Sequence, residues 1–599
     1  MSMARTRMGI ALAAAGATAF IPLLMSGTAA EAAQPNLHRL HAAKAGSFSF
    51  RRLATGNTGP QGAQAPPHQP MNKTLQHTTA AQVPNVPGTA VSNTTGGAVG
   101  FNGLDNYQQV NAGTGIYANS QLDSTPPDMG LCVGQGDVLQ AVNDALRVYS
   151  TGGTPLTAAV PLNQFLGVAP EAQTNPDGSI TYGPFLSDPK CYYDPDTKHW
   201  FMSVLEIALD PSTGAFGNSS LQYLAVSQTA DPTRGWNIYS FPTTDDGTSG
   251  TPADPGCPCF GDQPLLGADA NGLYITTNEY NMAGSVFNGA QLYALSKTGL
   301  ETGANLTVTH LQPGSDPSIT NTLGGVAFSI QPATSPNSGY ETAANGTEYF
   351  QSALDFGAAP ALGTRADQIA VWSLTNTKSL KAASPAPVLH VVVVGSEEYT
   401  QPPNAAQAPG TLFINNSLPL LDANDDRMNQ VVYAGGHLWS GLNTAVKTPQ
   451  GSTLAGTAWF VTTPSTDSTG QLSATLAGQG YLAINKENVL FPSIGVTPAG
   501  KAVMAFTVTG PDFHPSAGWA PLSLSSGTGP IYLAAPGQAA FDDFSAAKAY
   551  AGNGSARWGG YSAAVSDPAG NIWMGVEYIS GVERTALSNW ATFISHVTP

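Results

Sequence analysis

One short pattern recurs along this chain and restricts its fold more than any other feature. A polar or acidic residue opens an apolar strand, a tight turn with Gly, Asn or Asp follows, and a second apolar strand ends on a polar residue. Clear copies occupy residues 128–143, 188–206 and 262–279. Weaker copies occupy 324–355, with an insertion, and 427–443, and two more occupy 492–509 and 557–577. Two further strand-like runs tend to follow each hairpin, best seen at 221–227 and 236–241. Short strands separated by turn residues, with no helical period between them, predict four antiparallel strands per repeat. Such a repeat predicts an all-β body: a single β-propeller of about seven four-stranded blades over residues 128–599. Paired β-sandwiches use similar strands but would not carry one hairpin along the whole body. The run 591–596 supplies a strand able to close the ring.

Composition agrees and narrows the partners. Only 10% of the 599 residues are charged, against roughly 25% in an average soluble protein. The 66 glycines and 46 prolines suit many turns. The formal net charge of -17 argues against nucleic-acid binding, which requires a basic footprint. At the N-terminus, Arg5 and Arg7 precede an apolar stretch over 10–25, and Ala29, Ala30, Ala32 and Ala33 provide small-residue cleavage sites. Residues 1–33 therefore read as a signal peptide, too short and too rich in Ala and Gly for a membrane anchor. Residues 34–127 are rich in Pro, Gly and Ala and lack periodicity, which predicts a disordered leader or linker. The expectation is a secreted or cell-surface-associated monomer, with no membrane insertion once the signal is removed.

Three runs carry a resemblance. Asp188, Pro189, Tyr193, Asp194, Pro195 and Trp200 form the first; Thr276-Thr277-Asn278-Glu279-Tyr280 forms the second; Arg557-Trp558-Gly559-Gly560-Tyr561-Ser562 forms the third. Together these resemble secreted bacterial β-propeller proteins of the broad sialidase-like class, over roughly residues 128–599. The sialidase Asp-box, Ser-x-Asp-x-Gly-x-Thr-Trp, has its nearest counterpart in the run from Ser566 through Asp567 and Gly570 to Trp573, with shifted spacing. The resemblance thus implies a fold more than an activity.

The repeat also implies where function should lie. In an antiparallel hairpin the start of the first strand and the end of the second share one end, which in a propeller opens onto one mouth of the central channel. Asp128 with Asn143, Asp188 with Glu206, Asp262 with Glu279, Asp355, Arg427 with Asn443, and Arg557 with Glu577 take those places. A carboxylate-rich mouth can bind sugar hydroxyls or act as acid and base, and glycoside hydrolysis needs two carboxyls about 5–10 Å apart. Glu279, Glu577, Asp188, Asp262 and Asp355 are the catalytic candidates. Asp128, Glu206, Arg427, Asn443, Arg557 and Trp558 are the ligand-binding candidates. Each Asp can equally close a turn by accepting backbone N–H groups.

Remaining signals are sparse. Trp200, Trp439 and Trp573 share one hairpin position and suit packing between blades, whereas Trp519 and Trp558 suit exposed loops. Cys132, Cys191, Cys257 and Cys259 suit two disulfides in an exported chain, and no zinc-type spacing is evident. No cofactor is required; calcium would fit an acidic mouth, although no contiguous calcium loop is present. Two functions follow: binding of an extracellular glycan or another surface ligand, or glycoside hydrolysis on the same face.

Overall fold

The computed structural model describes residues 37–53, 83–354, 367–410, 418–542, 555–581 and 587–599. These residues are built almost wholly from antiparallel meanders of four strands. Meander A comprises Gly130–Gly134, Asp137–Val142, Ala145–Ser150 and Val160–Pro161; meander B comprises Phe185–Tyr193, Trp200–Leu209, Phe216–Ser227 and Gly235–Pro242. Meander C holds Cys259–Ala268, Gly272–Asn281, Phe287–Ser296 and Leu306–Leu311; meander D holds Gln331–Thr334, Thr347–Ala353, Gln368–Thr375 and Val388–Gly395. Meander E runs through Met428–Ala434, His437–Lys447, Thr453–Thr466 and Leu472–Leu482, and meander F through Asn488–Val496, Ala502–Gly510, Phe513–Ser523 and Ile531–Ala535. Meander G combines Ala563–Ser566, Ile572–Tyr578 and Ala591–Val597 with Val99–Asp105 as its outer strand. The first strand of each meander touches the first strand of the next, and that of G returns to that of A. This closed succession is a β-propeller. Among the described residues no helix is long and apolar enough to cross a membrane.

Local chemistry explains the hairpins. Asp567 Oδ1 accepts the backbone N–H of Ala569 and of Asn571, each at 2.9 Å, and its Oδ2 accepts the Trp573 indole N–H at 2.9 Å. The degenerate Asp-box therefore still works as a turn that fixes a buried ring. Asp269 does the same in C, accepting from Asn271 and Gly272 N–H and from the Tyr274 hydroxyl at 3.0 Å. Trp200, Trp439 and Trp573 are buried as their shared position implied, and rings of this size dominate the apolar packing between neighbouring sheets.

Parts of the segment expected as a disordered leader lie in the sheets. Leu37–Ser49 runs antiparallel to the outer strands of both B and C and joins them into one nine-stranded sheet. Val91–Ser92 pairs with F, and Val99–Asp105 completes G. A strand added at a sheet edge gains main-chain hydrogen bonds that any sequence can provide, so weak side-chain periodicity does not exclude it.

At the channel end, a buried polar contact repeats between neighbouring meanders. Asn143 Oδ1 accepts the Asp188 N–H at 2.9 Å, Asn278 Oδ1 the Ser329 N–H at 2.8 Å, and Asn443 Oδ1 the Phe491 N–H at 2.7 Å. Asp188 and Phe491 sit at bulges in the first strands of B and F, and Ser329 just precedes that of D. All three have left-handed φ, 55° for Asp188, 46° for Ser329 and 54° for Phe491, a conformation that costs a bulky residue energy unless its surroundings impose it. The bulge turns the N–H out of its own ladder, and the Asn of the preceding meander receives it. Replacing Asn443 with Ala leaves the buried Phe491 N–H without an acceptor. The expected loss is about 1–3 kcal/mol of unfolding free energy, measured by urea denaturation; an unchanged midpoint and slope would show that the contact carries no stability.

Candidate functional site

The bulged ends converge on one mouth of the channel. There the carboxyl of Asp128 meets that of Asp188 within hydrogen-bonding range. Burial, then the neighbouring charge of Asp188, holds the Asp128 carboxyl well above the usual carboxylate range, against the opposing pull of Arg557. Asn143 Nδ2 donates to Asp128 Oδ2 at 2.8 Å, and Ser187 Oγ donates to Asp188 Oδ1 at 3.1 Å. Gly560 (φ 65°) lies against Asp128 Oδ1 with no room for a Cβ, so glycine there makes the seat for this carboxyl. Lys190 Nζ stands 2.9 Å from the centroid of the Tyr561 ring. Its burial outweighs the attraction of Asp128 and Asp188 and brings the ammonium down to about 7.

A second pair of acids backs this mouth. Asp144 takes a 2.6 Å hydrogen bond from Ser124 Oγ, and Glu171 takes one of 2.9 Å from the Leu122 N–H. Both are 1% exposed. Burial first, then the charge of Glu171, raises the Asp144 carboxyl strongly.

The candidate residues separate into distinct places. Asp128, Asp188, Asp262 and Arg557 gather about the mouth, where Asp128, Asp188 and Asp262 all act on Tyr561 and Arg557 acts on Asp128. Arg427 is buried; its Nε donates to Asp425 Oδ1 at 2.6 Å, its guanidinium also donates to Gln263 Oε1, and it covers the Phe328 ring at 4.6 Å. That guanidinium ties E to C. Asn443 is the clamp described above. Glu577 accepts the Gly559 N–H at 2.6 Å and fixes the loop into the first strand of G. Trp558, expected in an exposed loop, is buried beside Phe541 with ring centroids 5.1 Å apart, and Trp519 is buried with its indole N–H on Thr95 O at 2.9 Å. Asp355 lies outside the described residues.

Glu279 is directed away from the mouth. Its neighbour Asn278 pairs across the strands with Asp262, whereas Glu279 pairs with Gly261, on the opposite face of the sheet. There it meets Asp245 and Asp254, and burial, then a hydrogen bond to Asp245 and the repulsion of both, pushes its carboxyl up to about 11. Glu206 is half-buried near Tyr223, and burial raises it to about 7. Sequence reasoning missed Asp144, Glu171, Lys190, Tyr561, Asp245 and Asp254. Asp144 and Lys190, each within two residues of a candidate, and Tyr561, in the third resemblance run, carried a signal; Glu171, Asp245 and Asp254 carried none.

Two disulfides join the four cysteines. Cys132–Cys191 links the first strands of A and B, and Cys257–Cys259 closes a small loop ahead of C. The channel holds a cavity of about 90 Å³ lined by Lys190, Pro195 and Pro568 among others. Gln430 reaches across it, donating from Nε2 to the carbonyl oxygens of Ile494 and Ala564. A larger groove, about 620 Å³, lies beside meander A and is lined by Tyr107, Gln108, Asn111, Arg147 and Gln164 among others. Tyr107 is 48% exposed there.

No protein-family model matches this sequence, and no curated protein does. Solved structures give low-identity likenesses. A protein of unknown function from Dyadobacter fermentans is 10% identical, with 68% of this chain and 94% of that one covered at a TM-score of 0.33. The sialidase of Trypanosoma rangeli is 10% identical, covering 71% and 57% at 0.30. The GH43 endo-arabinanase of Bacillus licheniformis is 13% identical, covering 58% and 96% at 0.22. The fold assignment rests on the strand pairings rather than on these likenesses.

Glu206 gives the site a measurable pH signature. Its folded-state value, about 7, lies above the ordinary 4.5, so folding favours the neutral carboxyl. That stabilisation is complete below pH 4.5 and is lost as pH rises through 7, by on the order of 2 kcal/mol. Glu206→Gln should therefore gain about that much on the parent between pH 4.5 and 8.5 in urea denaturation. Identical pH dependence in the two proteins would remove burial as the cause.

Proposed function

We propose that this protein is an exported β-propeller of seven blades, meanders A to G, that binds an extracellular carbohydrate without cleaving it. The observation that carries this reading is the state of the acids: the two foremost catalytic candidates, Glu279 and Glu577, are 1% and 2% exposed and are engaged in separate meanders. Asp128 and Asp188, the pair that does meet, are in hydrogen-bonding contact, closer than the roughly 5–10 Å that an acid and its partner carboxylate need around a glycosidic bond. A channel of about 90 Å³ is well below the roughly 300–1,000 Å³ of ordinary ligand pockets.

The ligand would lie across the mouth. Asp188 and Lys190 are half-buried there and Arg557 is exposed, so their outer atoms can exchange water for sugar hydroxyls. The dense acids favour a neutral glycan over an acidic one, and a sialic-acid carboxylate would compete with Asp425 for Arg427. The groove beside meander A supports a second reading of the binding place. Its volume is that of an ordinary ligand pocket, and it pairs an exposed Tyr ring with amides and Arg147, groups that stack on and hydrogen-bond to sugar faces. In either case the apolar N-terminal stretch and the disulfides support a secreted or surface-held protein.

A panel of neutral and acidic polysaccharides, assayed for retention and for released reducing ends, tests the proposal. Binding of a neutral glycan without hydrolysis is expected, with Asp188→Asn weakening it at least tenfold. If Tyr107→Ala weakens it instead, the groove is the site; reducing ends that disappear in Asp188→Asn would make the protein a hydrolase.

A further inference from the structure

The acids of meander C form a site distinct from the mouth. Asp245 and Asp254 lie in the loop between B and C, where the Asp254 N–H donates to Asp245 O at 2.8 Å and an isolated bridge joins Asp246 to Ala253. That small hairpin sets the two carboxyls beside Glu279 at the end of the second strand of C. One oxygen from each of the three falls within 4.8 Å of the others.

Apart from the Glu279 carboxyl, which hydrogen-bonds to Asp245, no donor reaches either carboxyl oxygen of Asp245, which is 0% exposed, or Oε2 of Glu279, which is 1% exposed. Buried acids satisfied only by one another are among the most costly groups a fold can hold. Asp245 also has a left-handed φ of 45°, a conformation that persists where the surroundings over-determine it. The remaining oxygens are held in place: Asn288 Nδ2 donates to Glu279 Oε1 at 2.7 Å, and Gln312 Nε2 donates to Asp254 Oδ2. The adjacent His310 ring is engaged elsewhere: its Nε2 is 4.0 Å from Asp245 Oδ2 but 2.9 Å from Gln291 Oε1. His38 faces Asp254 as the basic group nearest that carboxyl.

We propose that Asp245, Asp254 and Glu279 bind a hard divalent cation, with calcium as the ion their chemistry selects. An all-oxygen set of three carboxylates suits calcium, and further positions can be completed by water. Cys257 and Cys259 lie against Glu279 but are joined to each other, so they have no thiolate to offer a softer metal. Asn288 and Gln312 act as positioning residues, fixing the carboxylates through the oxygens the ion leaves. The ion would tie the B–C loop to strands two and three of C and would satisfy the Asp245 oxygens.

Full-length mature protein, stripped with a chelator and titrated with calcium chloride, tests this by equilibrium dialysis and by thermal unfolding. One calcium per chain with a rise in Tm is expected. Glu279→Gln and Asp254→Asn should each abolish binding and the Tm response, and Gln312→Leu should weaken binding ten- to a hundredfold. Gln keeps the size and the neutral, hydrogen-bonding character of the raised Glu279 carboxyl, so the calcium-free Tm of Glu279→Gln should stay close to the parent's, which separates lost binding from lost folding. No bound calcium, parent-like affinity in Glu279→Gln, or zinc bound only after reduction of Cys257–Cys259 would each overturn the assignment.

Discussion

The polar end of this propeller depends on one repeated contact, a side-chain oxygen at the end of one hairpin that accepts the outward-turned N–H of the next. Asn143, Asn278 and Asn443 each do this for a residue in left-handed conformation. Asp188 Oδ2 provides the counterpart for Gln263, at 3.2 Å and with φ of 49°. The contact solves two problems together. It pairs a buried N–H that the bulge has removed from its ladder, and it sets the angle at which neighbouring first strands approach. The mouth inherits its geometry from these clamps, since Asp128 is seated by Asn143 and Asp188 by Ser187 and Gln263.

Closure of the ring uses residues far away in sequence. Val99–Asp105 completes meander G, whose other strands end at Val597, so the last sheet can form only when both chain regions are present. Gln140 strengthens that junction, donating to Thr592 Oγ1 at 2.7 Å while accepting the Leu104 N–H at 2.8 Å. Leu37–Ser49 covers two outer edges at once, and edge strands otherwise expose unpaired donors and acceptors. The contribution of these segments is mostly main-chain hydrogen bonding.

That difference explains what could be read from the sequence. The hairpins were legible because Asp turns and buried Trp and Tyr leave a local signature, as at Asp567 with Trp573. The added strands were not, because backbone pairing leaves little trace in side chains. At the mouth, residue identity was legible but facing was not. Glu279 and Asn278 are neighbours on one strand and point to opposite faces, so an offset of one residue moved the expected acid from the mouth to meander C. Asp245 and Asp254 carry no signal in the sequence because the strands that bury them lie dozens of residues away. Lys190 was hidden for a related reason: a lysine in an apolar strand gives no sign that an aromatic ring from meander G will cover it.

The charge balance unites these observations. With 22 basic against 39 acidic residues, this chain cannot provide each of its carboxylates with a cation. Some of its cations are committed in pairs: Lys297 to Asp194 at 2.9 Å, with both side chains fully enclosed, and Arg427 to Asp425. Where a basic group is close, as with Arg557 and Lys190 near Asp128, the acids remain at a mouth that solvent can reach. In meander C the groups around the acids are mainly amides, which orient carboxylates without cancelling their charge, with His38 facing Asp254. A buried group in that position must take up a proton or a cation. The same excess of acidic groups therefore gives two arrangements, acids beside Arg557 and Lys190 at the mouth and an enclosed set of carboxyls in meander C that face one another.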